Sequence, residues 1–113
     1  MKCPGGIALM LALAVPAWAQ DQATIDRVLR DAMQAYGGCI HALAVDLAQS
    51  TETPQFLADR AIEACREQRH ALWMKMQAPP LSASPDDATD AVRQTNEGLN
   101  PMVIDTIRKA RGG

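Results

Sequence analysis

The side chains with the most definite chemistry in this chain are the two cysteines in its middle, Cys39 and Cys65. Two thiols alone do not make a structural zinc site, because zinc takes four ligands. In an exported protein, an even number of cysteines favours an intrachain disulfide, and an intermolecular bridge is the alternative. An intrachain bond here would close a loop long enough to stabilise the fold by about 3–4 kcal/mol, mainly by restricting the unfolded chain.

A second group of side chains is of the type that binds iron or copper. Glu67 and His70 form half of the carboxylate–histidine pattern of di-iron helical bundles, but His41 has no matching glutamate to complete it. His70 and Met74 lie four residues apart on one helix face, and imidazole and thioether groups suit copper. Met76 is interpreted as core packing. We therefore predict no catalytic residue, metal or cofactor, and His70 and Met74 are only weak metal candidates.

The first cysteine lies on an apolar stripe whose steps of three and four residues predict an amphipathic helix. Gly37 and Gly38 interrupt this stripe, and glycine costs up to about 1 kcal/mol relative to alanine inside a helix. We expect the helix to kink or pause at the glycines, or the glycines to let another backbone approach beside the disulfide. The stripe consists of Ile25, Leu29, Ala32, Tyr36, Cys39, Leu43 and Leu47.

The second cysteine lies on a second predicted helix, antiparallel to the first. A Thr-Pro pair at 53–54 supplies its N-cap and first-turn proline, and the Pro-Pro pair at 79–80 ends it. The turn signal at 50–54 lies midway between the two cysteines, which places them at matching heights on the two arms. Closely packed helices can bring two Cα atoms to the roughly 5.5–6 Å that a disulfide needs. The apolar positions of this arm are Leu57, Ala58, Ala61, Ile62, Cys65, Leu72, Trp73 and Met76.

Further helical segments follow the two prolines. Ser84 and Pro85 repeat the pattern of an N-cap and a first-turn proline, with acidic residues next to them. We expect the Asn-Glu-Gly sequence at 96–98 to end that helix, and Asn100 and Pro101 to begin another. No segment alternates with the two-residue period of a strand. The predicted fold is all-α: a small disulfide-linked antiparallel helical hairpin with one or two additional C-terminal helices.

The first 19 residues have the pattern of an export signal. A basic residue precedes the uncharged apolar run 7–15, and Ala17 and Ala19 are the small residues that a signal peptidase requires, so we expect cleavage before Gln20. The apolar stretch is shorter than the roughly 20 residues that span a bilayer, although an uncleaved anchor is the alternative. Cys3 precedes the run and leaves with the signal. We expect a periplasmic or secreted protein without a stable membrane anchor after cleavage.

The chain is long enough for a single domain, and its sequence divides into several segments. After the signal at 1–19, we expect the cross-linked hairpin at 20–78, a Pro/Ser linker at 79–84 and a C-terminal helical segment at 85–113. The 11 basic side chains are scattered among 13 acidic ones. Nucleic-acid binding is excluded, because it needs a concentrated positive surface. The basic end at 108–111 fits a helix C-terminus, where cations suit the helix dipole.

The composition after the signal predicts a thin core. Alanine supplies 15 of the 94 residues from Gln20 onward, so helices can approach closely but each buries little apolar area. Tyr36, Phe56 and Trp73 are too few aromatic residues for a large enclosed cofactor pocket. We therefore predict a non-enzymatic protein-interaction module, with a second copy of the chain or another envelope protein as its partner.

The sequence also fits two alternative functions. One is a copper-type metal-handling protein of the envelope, which would use His70, Met74 and His41. The other comes from a resemblance: the Thr-Pro pair at 53–54 leading to Ala64 and Cys65, in a short exported helical chain, resembles small periplasmic acid-stress chaperones that are held by one disulfide. The loop here is short for that family, so no residue role carries over. The resemblance implies acid-driven loosening and protection of a client protein.

Overall fold

The chain folds into helices throughout the part that the structure describes. In the computed structural model, which describes residues 17–112, the four helices are α1 (Ala17–Leu47), α2 (Pro54–Ala64), α3 (Arg66–Gln77) and α4 (Pro85–Ala110). No strand occurs in 17–112, so the predicted all-α fold class is confirmed. The apolar run of the predicted export signal lies outside the described residues. Within the described range, no helix is long and apolar enough to cross a membrane.

The predicted hairpin and its cross-link are both present. The disulfide joins Cys39 of α1 to Cys65, and the two Cα atoms lie 6.0 Å apart. The turn between the arms lies where the sequence predicts it, because α1 ends at Leu47 and α2 begins at Pro54. Thr53 caps α2: its Oγ1 accepts a hydrogen bond from the backbone N–H of Phe56 at 3.2 Å. The intrachain bond therefore fixes the register of two helices that a short turn already holds antiparallel.

The second arm differs from the prediction, because it is two helices and not one. The helix breaks at Cys65, whose φ of −96° and ψ of 26° are not helical. The Cys65 N–H donates to the carbonyl of Ile62 at 3.3 Å, and the Cys65 carbonyl accepts from Arg69 N–H at 3.0 Å as α3 begins. Cys65 is fully buried. The break in the helix therefore coincides with the cross-link.

The two adjacent glycines of α1 do not act as predicted. The helix continues through Gly37 and Gly38 without a break. A Cβ atom built on either glycine would meet no neighbouring atom within 4 Å, so no other backbone approaches there. Continuous burial of the stripe on both sides, with Tyr36 and Ile40 almost inaccessible, holds the helix together across them.

The C-terminal part is one helix, so the prediction of a helix end at 96–98 and a new start at Asn100 is wrong. The helix α4 runs from Pro85 to Ala110 with Pro101 inside it. Ser84 caps its start as predicted, since its Oγ accepts from the Asp87 N–H at 3.1 Å. A buried stripe spans the position of the expected gap, so tertiary packing outweighs the local cost of Gly98 and Pro101. The stripe comprises Ala88, Val92, Val103 and Ile107 as buried residues and Leu99 as a partly buried one.

The helix α4 packs on all three other helices. At its C-terminal end, the Arg111 guanidinium donates to the backbone carbonyls of Ala48 at 2.9 Å and Glu52 at 2.6 Å, and also to that of Ser50. These carbonyls follow the last turn of α1, where backbone acceptors have no helical partner. The core between the helices is formed by Tyr36, Ile40, Ala44, Ala48, Leu57, Ala58, Ala61, Ile62, Cys65, Leu72, Met76, Ala88, Val92, Val103 and Ile107.

Removing the disulfide is expected to destabilise the protein strongly. The bond closes a loop of 26 residues, so the double variant Cys39→Ala/Cys65→Ala should lose about 3–4 kcal/mol of unfolding free energy, measured by urea denaturation. The double variant avoids leaving one free thiol. Wild-type protein in reducing buffer is the control and should unfold at a similarly lowered urea concentration. An unchanged midpoint in both cases would contradict the role of the cross-link.

Replacing the unneeded glycines is expected to stabilise the protein. Gly38→Ala in α1 and Gly98→Ala in α4 each add a methyl group to an exposed helical position with free space around it. Each should raise the unfolding free energy by up to about 1 kcal/mol, because alanine lowers the backbone entropy of the unfolded chain. The matched control Ala42→Gly, at another exposed position of α1, should lower it by a similar amount. A loss of stability in Gly38→Ala would show that the packing at this position is different.

Candidate functional site

A groove of about 530 Å³ lies between α3 and α4. We call it the arginine–tryptophan groove. On α3, its residues recur at steps of three and four, so that one face of this helix forms one wall. Two residues of α4 form the other wall. The groove is lined by Arg66, Glu67, Arg69, His70 and Trp73 of α3, and by Thr89 and Val92 of α4.

The indole ring of Trp73 makes two side-chain contacts within the groove. Its Nε1–H donates a hydrogen bond to Thr89 Oγ1 at 3.1 Å, which ties α3 to α4. The imidazole of His70 stacks on the indole, with ring centroids 5.6 Å apart and an interplanar angle of 27°. Trp73 is partly exposed. The two rings together present a polarizable aromatic surface whose orientation is fixed before any ligand arrives.

The two arginines of the groove differ in their partners. Arg69 forms an ion pair with Glu63, with 3.4 Å between Nη2 and Oε2. Arg66 is exposed and has no ion pair or side-chain hydrogen bond to any of residues 21–112. A free guanidinium is a fork of parallel donors that matches a carboxylate. Arg66 is therefore the groove's available cation, while the charge of Arg69 is already partly neutralised.

A buried tyrosine lies behind the groove and ties α1 to α4. The side chain of Tyr36 is fully buried, and its hydroxyl donates to Oδ1 of Asn96. Burial raises the pKa of Tyr36 above its usual value, and the charge of Glu63 adds to this effect. The Arg69 guanidinium and the Asn96 amide act in the opposite direction and lower this pKa. Sequence reasoning interpreted Asn96 as a helix end and missed this pair, although a tyrosine on a buried stripe needs a partner for its hydroxyl.

The metal candidates of α3 and the candidate of α1 lie on different surfaces. His70 and Glu67 line the arginine–tryptophan groove, and Met74 lies one turn further along α3 with 52% of its surface exposed. His41 is on α1 and lines a different groove. Met76 is buried in the core, as predicted. Within the part of the chain that the structure describes, no group of three or more His, Cys, Asp or Glu residues could hold a metal ion. Copper binding by His70 and Met74 stays a prediction.

A second surface, between α1 and α4, is free of formal charge. No acidic, lysine or arginine residue occurs in 32–45 of α1 or in 98–104 of α4. Large apolar side chains on this surface are exposed: Met102 by 64%, Val45 by 43% and Met33 by 36%. Met102 lines a groove of about 210 Å³ between the two helices, and Met33 and Val45 lie on α1 within one turn of its lining residues. This uncharged α1–α4 face comprises Met33 and Val45 together with the groove residues Gly37, Ile40, His41, Ala44, Leu99, Met102, Val103 and Thr106.

The raised pKa of Tyr36 predicts a loss of stability in alkaline solution. Well below pH 10, the usual pKa of a phenol, Tyr36 is neutral in both the folded and the unfolded protein. As the pH rises from 10 toward the higher folded-state pKa, only the unfolded state ionises freely, so the unfolding free energy falls. Urea unfolding at about pH 8 and about pH 11 should show a smaller alkaline loss in Tyr36→Phe than in the wild type. Equal losses in both proteins would contradict a buried, neutral tyrosine.

No protein-family model, curated protein sequence or solved structure matches this chain. Its function is therefore inferred from the surfaces that its own residues form. Two of these surfaces are distinctive: the arginine–tryptophan groove, which combines a fixed indole with a free guanidinium, and the uncharged α1–α4 face, which exposes three large apolar side chains.

Proposed function

We propose that this protein is a non-enzymatic interaction module that works in the periplasm or outside the cell and binds a second copy of itself through the uncharged α1–α4 face. The observation that carries the proposal is a groove without formally charged lining residues that includes the exposed Met102, with the exposed Met33 and Val45 within one turn of it on α1. Methionine and other large apolar residues are enriched at the centres of protein interfaces, where charged residues are depleted.

Charge favours this face over the rest of the surface for self-association. The chain has a net charge of −2, so two copies repel each other weakly at long range. Contact through a charged surface would also require the desolvation of ions, which costs several kcal/mol for each buried ion. The stretches 32–45 and 98–104 avoid this cost, because they contain no acidic, lysine or arginine side chain. Two identical uncharged faces can therefore meet without burying an unpaired charge.

The thin core favours self-association, because association can bury further apolar surface. Five of the buried residues are alanines, and each buries little apolar area. A small domain buries a small share of its surface when it folds, and the exposed apolar side chains of one copy can add to this burial when they pack against another. Association would then stabilise the fold as well as provide the binding function. The alanines concerned are Ala44, Ala48, Ala58, Ala61 and Ala88.

The proposed compartment follows from the disulfide and the signal pattern together. Disulfides persist in oxidising compartments and are rare in the cytosol of most organisms. The bond between Cys39 and Cys65 is consistent with export, and so is the signal pattern of residues 1–19. We propose no enzymatic activity, because the two thiols are bonded to each other and His41 and His70 lie on different surfaces.

Self-association can be tested by sedimentation equilibrium across the micromolar range. The wild type should show a monomer–dimer equilibrium, and Met102→Glu should weaken the dimer by about tenfold or more, because it places a charge in an apolar interface. The matched control is Met74→Glu, which alters a methionine of similar exposure on α3 and should leave the equilibrium unchanged.

Two results would contradict the proposal. One is a wild-type protein that stays monomeric throughout the micromolar range. The other is an equal loss of dimer in Met102→Glu and Met74→Glu, which would mean that net charge and not the uncharged α1–α4 face governs association. Far-ultraviolet circular dichroism of both variants separates lost association from lost folding.

A further inference from the structure

We propose that the arginine–tryptophan groove is a binding site for a small aromatic carboxylate. Its volume of about 530 Å³ lies within the roughly 300–1,000 Å³ typical of small-molecule sites. Such sites combine an apolar or aromatic wall with a few polar groups that orient the ligand. The groove lies between α3 and α4, whereas the proposed association surface lies between α1 and α4, so this function is separate from self-association.

The aromatic part of the ligand is recognised by Trp73. The hydrogen bond from its Nε1 to Thr89 and the stacked imidazole of His70 hold the indole in one orientation. An aromatic surface that is already fixed loses little conformational entropy when a flat ring stacks on it. Val92 supplies apolar contact from the opposite wall of the groove.

The carboxylate part is recognised by Arg66. Its guanidinium is exposed and unpaired within residues 21–112, so it can form two parallel hydrogen bonds to a carboxylate without giving up an existing partner. Arg69 adds positive potential, which its ion pair with Glu63 reduces. The groove also contains one carboxylate, that of Glu67. Because Arg69 is paired with Glu63, the net charge of the lining is small, and the groove recognises an anion through the unpaired fork of donors on Arg66 rather than through excess positive charge.

The competing ligand is an aromatic cation. It would place its charge against Glu67 and over the indole face of Trp73, as cation–π recognition allows. The two ligands make opposite demands on Arg66: a carboxylate needs its charge, and a cation is repelled by it. A series of ligands that share one ring and differ only in charge can therefore distinguish them.

The test is a titration of the full chain followed by ¹⁵N–¹H NMR. The reporter is the indole Nε1–H signal of Trp73, identified by its absence in Trp73→Phe. The ligands are naphthoate, neutral naphthalenemethanol, cationic naphthylmethylammonium, and acetate, which has the carboxylate without the ring. Naphthoate should shift the signal saturably, and each of the other three should bind about tenfold more weakly or not at all.

Variants then test the role of the guanidinium. Arg66→Gln should weaken naphthoate binding by about tenfold, and Arg66→Lys, which keeps the charge but loses the fork of parallel donors, should weaken it measurably but by less than Arg66→Gln. Arg60→Gln is the matched control: Arg60 is an exposed arginine of α2 outside the groove, and its replacement should leave binding unchanged. The proposal is wrong if naphthoate gives no saturable shift at millimolar concentration. It is also wrong if the neutral or cationic analogue binds as tightly, or if Arg60→Gln loses as much affinity as Arg66→Gln.

Discussion

The Cys39–Cys65 disulfide is the constraint around which the other elements are arranged. It joins the uninterrupted helix α1 to the residue at which the second arm breaks into two helices, and the Cα atoms that it links are 6.0 Å apart. At Cys65 the arm is divided into two helices that lie beside different parts of α1. The helix α3 lies beside residues 28–35, as their shared groove shows, and α2 follows the turn at the other end of α1. One covalent bond thus positions three of the four helices.

The helix α4 completes the structure by contacting each of the other three. Its contacts are polar at several points along its length and apolar between them. Near its middle, Asn96 accepts from Tyr36 of α1, and Asn100 donates to Asp59 of α2 at 3.0 Å. At its end, Arg111 donates to the carbonyls that follow α1. Because α4 is held at both its middle and its end, the packing free energy that it gains as a continuous helix exceeds the cost of placing Gly98 and Pro101 inside a helix.

The sequence predicts the features that depend on neighbouring residues and misses those that depend on distant ones. Apolar spacing and the Thr53 and Ser84 caps are local signals, and the structure confirms them. The disulfide joins residues 26 positions apart, and it was predictable because only two cysteines follow the export-signal pattern. The continuity of α4 depends on burial against other helices, so Gly98 and Pro101 gave a misleading local signal. The role of Arg111 depends on residues about 60 positions away, and the chain composition gave no sign of it.

The candidate sites likewise depend on residues that are distant from one another in the sequence. In the sequence, Glu67 and His70 form half of a metal-binding motif. In the structure, their neighbours in the groove include Trp73 from the same helix and Thr89 from another. The groove exists only because α4 lies against α3, where Thr89 of α4 accepts a hydrogen bond from the indole of Trp73.

The two proposed surfaces of this small protein differ in their chemistry. Charged groups gather along α3, where Arg66 and Arg69 face α4, and the adjoining stretches of α1 and α4 on the other face carry no formal charge. This separation matters because an interface between copies loses stability when it buries an ion, whereas a site for an organic anion requires one. The helix α4 borders both surfaces but contributes different residues to each: Thr89 and Val92 in its first half, Met102 and Val103 in its second. A single helix can therefore serve both functions without a compromise at any one position.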